Sequence, residues 1–230
     1  PTAGAAASLR DEGVADAQIV QTGNTVIDAL LSTAAQKPAP PSGFPRSGRT
    51  VLLTLHRREN FGANIRNALA AVRDFVDAHD DVSVWFPVHP NPNARDAARA
   101  VLNDHPRIHL VEPMGYRHLV ATLSSCWCVL TDSGGLQEEA PALGRPVLVL
   151  RDRTERPEAV DAGVARLVGT SHTGVLAALE SLYRDAALHA RMARGALPYG
   201  DGRAATRIEQ AMRQRLLPLH AARHADGARA

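Results

Sequence analysis

Cysteine is scarce in this chain, with Cys126 and Cys128 the only two. One intervening residue is not the spacing of a CxxC redox pair, and no second pair exists to complete a zinc site. On a strand both would point to one face, which reads as two free buried thiols in a reducing compartment. An excess of charge is missing too. The 26 Lys and Arg against 24 Asp and Glu leave a net +2, so nothing calls for nucleic acid or an anionic membrane as a partner. Lysine is almost absent, Lys37 standing alone among the 26 basic residues. No apolar run approaches the ~18 residues of a membrane span. The opening PTAGAAASLRDEG lacks the basic-then-apolar order of a signal peptide, and a cytoplasmic location is expected. The chain does not start with Met, as expected of a processed chain or a fragment.

Several motifs are also wanting. No GxGxxG follows a predicted strand, so a dinucleotide redox cofactor is disfavoured and no cofactor is expected. There is no GxxxxGK[ST] loop and no GxSxG elbow, and the histidines lack metal-ligand spacing, so no metal is expected. What is present is ordinary for a globular protein: 230 residues, 45% hydrophobic and 22% charged. That length suits one large domain or two small ones.

Periodicity alternates strands and helices through the middle of the chain. Strands are expected over 49–56, 82–89, 107–112, 127–132, 147–150 and 165–168. Helices are expected over 64–79, 94–102, 117–125, 134–143, 175–192 and 204–217. In 64–79 the apolar residues Ile65, Leu69, Val72, Phe75 and Val76 form one stripe. The strand cores VLLTL, WCVLT and VLVL are continuous apolar runs, as in a parallel sheet covered on both faces. The fold class is therefore α/β, a doubly wound, Rossmann-like parallel sheet spanning 49–200. Residues 38–48 read as a Pro/Ser/Gly linker. Residues 1–37 read as a helix–strand–helix remnant of another domain, and 218–230 as a disordered tail.

Ligands in an open parallel sheet bind at the carboxyl ends of the strands, and four polar clusters fall there. In Asp132-Ser133-Gly134-Gly135 a buried strand turns straight into a helix. Glycines let the backbone approach a ligand, and the helix start offers unpaired N–H groups to a phosphate or diphosphate. Glu139, one turn on, is placed to accept from a ribose. The same residues would also serve as a plain N-cap and tight turn. Residues 151–158, RDRTERPE, set three arginines within six positions, suited to an oxyanion or to a solvated loop of internal ion pairs. His56-Arg57-Arg58-Glu59 again suggests an anion or a basic surface. His89-Pro90-Asn91-Pro92-Asn93 is a rigid turn in which His89 reads as structural. Together the clusters describe a domain for a phosphorylated, nucleotide-linked metabolite.

HRRENFG, VHPNPN, LTDSGGLQEEAPALGRPVLVLRDRTERPEAV, RLVGT and PYGDG follow one another in an order that resembles the non-hydrolysing UDP-N-acetylglucosamine 2-epimerases. PTAGAAASLRDEGV and VQTGNTVIDALL at the start fit as well, so the resemblance covers nearly all of residues 1–217. It implies the C-terminal domain of a GT-B-type two-domain fold, with residues 201–217 as a helix crossing back to the other domain. It further implies UDP-GlcNAc or UDP as ligand, with Ser133, Gly134 and Gly135 on the diphosphate and Glu139 on the ribose. Arg156 and His56 become substrate contacts, His56 being the catalytic candidate of this half. Arg57 and Glu59 match positions that touch a second, allosteric UDP-GlcNAc in some members. Met114 and Leu119 stand in the base-binding loop where some members carry Gln and Phe, so base contacts depart most from the pattern.

The implied reaction interconverts UDP-GlcNAc and UDP-ManNAc by eliminating UDP and adding it back with inversion at C2. Its proton-moving carboxylates belong to the family's N-terminal domain, which is thus an expected partner, and the full-length protein is expected to be a homodimer. This chain alone is expected to be inactive. A GT-B glycosyltransferase, a hydrolysing epimerase and a non-catalytic UDP-sugar-binding module remain as alternatives.

Overall fold

The computed structural model describes residues 1–227; residues 228–230, the end of the expected disordered tail, lie outside the described residues. The chain divides into two compact units, residues 33–197 and the two ends, 1–32 with 198 onward. The first helices are α1 (Ala3–Asp11) and α2 (Thr25–Ala35). Then come β1 (Arg49–Thr54), α3 (Ala63–Ala78), β2 (Val82–Pro87), α4 (Pro92–Leu102), β3 (Ile108–Val111) and α5 (Tyr116–Ser125). They are followed by β4 (Cys128–Thr131), α6 (Gly134–Ala142), β5 (Val147–Val149), α7 (Pro157–Asp161) and β6 (Ala165–Leu167). The series ends with α8 (His172–Arg184), α9 (Ala186–Met192) and α10 (Ala204–Gly227).

In the unit of residues 33–197, six parallel strands lie in the order β3-β2-β1-β4-β5-β6. Every residue of β4 and β5 is buried, as are the middle four of β1, which is why these strands read as unbroken apolar runs. The α3 stripe named from the sequence is wholly buried, and it packs with Val51, Leu53, Val84, Phe86 and Leu130 of the sheet and Leu179 of α8. Both cysteines are free and buried. Burial pushes the Cys126 thiol up to about 12 against the lowering pull of Arg145, and raises that of Cys128 as well. Such thiols are inert at neutral pH.

Three expectations are corrected. The tail expected to be disordered from residue 218 is helical as far as Gly227, where α10 ends. Periodicity predicts one helix over 175–192, but Asp185 leaves helical geometry (φ −102°, ψ 92°) and its carboxylate accepts from the Leu188 N–H at 2.8 Å. An aspartate that caps the next turn ends α8 and starts α9. In the unit of the chain ends, the strand expected between α1 and α2 pairs with no other strand among the described residues. Ile19 is extended there (φ −96°, ψ 128°) after a 3₁₀ turn at Asp16–Gln18. Extended backbone becomes a strand only where a sheet edge meets it. In the same unit Asp28 of α2 accepts from the N–H groups of Ala204 and Ala205, capping α10 from across the sequence.

Candidate functional site

β1 leads through α3 to β2 on one side of the sheet, while β4 leads through α6 to β5 on the other. The crevice between the carboxyl ends of β1 and β4 is the point where the strand order reverses, the general ligand position of such sheets. Here Thr54 and Thr131 are register partners, and their hydroxyls meet at 2.5 Å. The Thr131 hydroxyl also accepts from the Ser133 N–H at 2.9 Å, turning the chain toward α6.

Asp132, in that turn, is fully buried. Its carboxylate accepts from the backbone N–H of His56 (3.0 and 3.2 Å) and of Arg57 (2.9 Å), and from Asn60 Nδ2 (3.0 Å). His56 Nδ1 lies 2.9 Å from it. Burial pushes the Asp132 carboxyl up, but the hydrogen bonds from His56 and Arg57 outweigh it and hold the pKa below its ordinary 3.8. One ionised side chain therefore fixes the HRREN loop against the start of α6. Asn60 completes the joint by donating to the Leu150 carbonyl at 3.2 Å. Neither Asp132 nor Asn60 stands out individually in the sequence. A buried acid between strand and helix was the available signal, but its partners lie over 70 residues away.

α6 begins at Gly134 with Ser133 as N-cap, and the Ser133 side chain makes no capping hydrogen bond. The first N–H groups of the helix have no intrahelical acceptor, and its dipole favours negative charge. Ser133 and Gly135 at this helix start, though not Gly134, line a cavity of about 440 Å³ together with His56, His89, Met114, Leu119 and Glu139 among others. The structure thus brings together Ser133, Gly135, Glu139, His56, Met114 and Leu119 of the expected set around one space. His89 lines it too, its ring stacked on that of His56 (centroids 5.7 Å apart, 27° between planes). That places His89 at the site as well as in its turn, where Nδ1 accepts from the Asn91 N–H.

Glu139 is buried and accepts from the Tyr116 hydroxyl at 2.9 Å. Burial, with Glu138 alongside, raises its pKa despite that bond. Tyr116 had no sequence signal, since it comes from α5, 23 residues away.

The arginine loop folds over the other side of α6. Thr154 donates to Gln137 at 2.5 Å, and Arg156 pairs with Glu138. Arg57 pairs with Glu155 at 2.9 Å, Arg151 with Glu155 at 2.5 Å, and Arg151 with Glu59 at 3.0 Å. Arg57 and Glu59 thus share one charge network beside the site, while Arg156 sits with its guanidinium on the buried Glu138. Gln137 and Glu138 of this helix can be buried because each has a partner on the loop, as Glu139 has one in Tyr116 of α5. Among the described residues no three His, Cys, Asp or Glu side chains gather as a metal-ligand set, and no helix is long and apolar enough to cross a membrane.

Comparison with known proteins agrees with this geometry. Residues 1–213 match the UDP-N-acetylglucosamine 2-epimerase family. An Escherichia coli UDP-N-acetylglucosamine 2-epimerase is 40% identical over 229 residues, covering 95% of this chain and 61% of the relative. The solved UDP-GlcNAc 2-epimerase of Neisseria meningitidis, bound to UDP-GlcNAc, is 36% identical with a TM-score of 0.88, over 94% of this chain and 60% of that one. An S. aureus structure with UDP is 38% identical with a TM-score of 0.87, over 94% and 60%. The chain spans about three fifths of the length of these relatives. With the match running over almost all of it, the chain belongs to the UDP-N-acetylglucosamine 2-epimerase family.

Proposed function

We propose that this chain is the UDP-binding half of a non-hydrolysing enzyme that interconverts UDP-GlcNAc and UDP-ManNAc. The observation that carries the reading is the start of α6. Ser133, whose side chain makes no capping hydrogen bond, and Gly135 line a cavity where the strand order reverses, at a helix start whose first N–H groups have no intrahelical acceptor. Ser133, Gly134 and Gly135 hold the diphosphate, Glu139 takes the ribose, and Met114 and Leu119 form the apolar wall for the base. His56, oriented by Asp132, faces the leaving group, and Arg156 supports the same region. Arg57 and Glu59 are positioned for a second, regulatory nucleotide sugar. That neighbours of this fold are solved with UDP and with UDP-GlcNAc supports the ligand.

As the C2 proton is removed and the C1–O bond breaks, negative charge grows on the β-phosphate. The helix N-terminus and arginines stabilise that charge without reorganising. Holding UDP between elimination and re-addition makes the return step effectively intramolecular. The carboxylates around the site are engaged: Glu138 with Arg156, Glu155 with two arginines, Glu139 with Tyr116. On the family resemblance, the base that moves the C2 proton comes from the N-terminal domain of the enzyme, which assembles as a homodimer in the cytoplasm.

Proton NMR of UDP-GlcNAc incubated with this chain tests the proposal. The expected outcome is saturable binding of UDP with no anomeric signal for the manno isomer. A manno signal would place the proton-moving carboxylates within these 230 residues, and absence of UDP binding would sink the assignment of the site.

A further inference from the structure

The start of α6 already has a carboxylate beside it. A Cβ on Gly134 would lie 3.3 Å from Glu155 Oε1 and 3.6 Å from Arg57 Nη2. Glu155 and Arg57 therefore meet over the first residue of the helix. Glu155 Oε1 accepts from Arg57 Nη2 at 2.9 Å, and Oε2 accepts from Arg151 Nη1 at 2.5 Å. One carboxylate bridges two guanidiniums, which follow β1 and β5, the strands on either side of β4.

The two kinds of charge are not held equally. Arg151 is only 12% exposed and is also tied to Glu59, and Arg57 donates from Nε to the Asp132 carbonyl at 2.9 Å. Glu155, at 44%, is the exposed member. Burial is the largest single influence and pushes its carboxyl up, but its own backbone N–H and the two arginines together outweigh it, lowering its pKa to about 2. It is an anion at any physiological pH. The cations are anchored, and the anion is the most exposed of the three.

We propose that Glu155 is a built-in stand-in for the ligand's diphosphate, neutralising Arg57 and Arg151 beside α6 in the free chain and displaced from them when a nucleoside diphosphate binds. The inference rests on the reading of this site as UDP-binding. A guanidinium fork fits a phosphate as well as a carboxylate, and the helix N-terminus rewards whichever anion is nearest. Two anions crowded on one set of donors repel, so the ligand must compete with Glu155. The free chain keeps its cations paired and the site ordered, at the cost of weaker binding. A purely supporting role for Glu155, holding Arg57 toward the ligand, predicts the opposite effect of removing its charge.

Calorimetric titration of the chain and its variants with UDP, and separately with inorganic pyrophosphate, decides between the two. Glu155→Gln should bind both about ten-fold more tightly than the parent, and Glu155→Asp, which keeps the charge, should stay within about two-fold of it. The ligand-free Glu155→Gln chain should also melt at a lower temperature, with the difference closing when UDP saturates the site. Should Glu155→Gln fail to fold, Glu155→Ala removes the same charge and carries the same expectation. Equal or weaker binding by a folded charge-free variant overturns the inference while leaving the site intact. No UDP binding by the parent chain overturns the site reading and the inference with it.

Discussion

Asp132 collects four donors while fully buried, and its ionisation is what makes the arrangement favourable. Asp132→Asn puts an amide N–H₂ among groups that all donate, so one hydrogen bond is lost and a repulsive contact formed. We expect a loss of about 2–3 kcal/mol in urea unfolding, and weaker UDP binding because His56 and the HRREN loop lose their anchor. The pH dependence follows from the depressed pKa. The stability that Asp132 contributes is complete above its unfolded value of 3.8 and is lost as pH falls below that through the native value. The gap between parent and variant should therefore be flat between about pH 5 and 7 and shrink below about pH 4. At this scale the sequence was partly legible. The types Ser-Gly-Gly, His and Arg pointed to an anion. Which side chain holds which depends on groups such as Tyr116 and Glu139, which become neighbours only after α5 and α6 have packed.

The start of α6 sets fold and ligand demands against each other. Gly135 has no positive φ, and a Cβ there would meet only ordinary contacts, Glu139 Oε2 and Ser133 Oγ at 3.9 Å. Nothing in the unliganded fold requires glycine at this position, and alanine is the better helix former by up to about 1 kcal/mol. Gly135→Ala should consequently leave the melting temperature unchanged or raised. The added methyl takes the space through which a diphosphate reaches the backbone, an overpacking of about 1–3 kcal/mol, so UDP affinity should fall about ten-fold or more. A variant that lost stability but kept affinity would assign the glycine to folding instead. Elements with one strong period, such as α3 with its buried Ile65, Leu69, Val72, Phe75 and Val76, were legible without structure. The break at Asp185 was not, because the helical pattern runs on across it and a single capping bond decides the matter.

At the scale of the whole molecule, the first and last segments belong to one unit. Asp28 ties them by accepting from Ala204 and Ala205 at 3.1 and 2.9 Å. Asp28→Ala removes the acceptor of the first two N–H groups of α10, a cap-like role, and should cost that unit about 1 kcal/mol. Amide exchange should accelerate at 204 and 205 while the strands of residues 33–197 stay protected. Uniform acceleration through the sheet would mean that the two units unfold together. What the sequence determined by itself is the alternation of buried strands and amphipathic helices, hence a parallel α/β sheet, and the chemical types set at its carboxyl edge. Those follow from local periodicity and from the needs of phosphate binding. Only the tertiary structure decided the strand order that puts β1 beside β4, and with it the joint at Asp132 and the bridge of Glu155 between two arginines. Charge pairing between residues nearly a hundred positions apart leaves no periodic trace, because it is settled by which strand ends are neighbours in space.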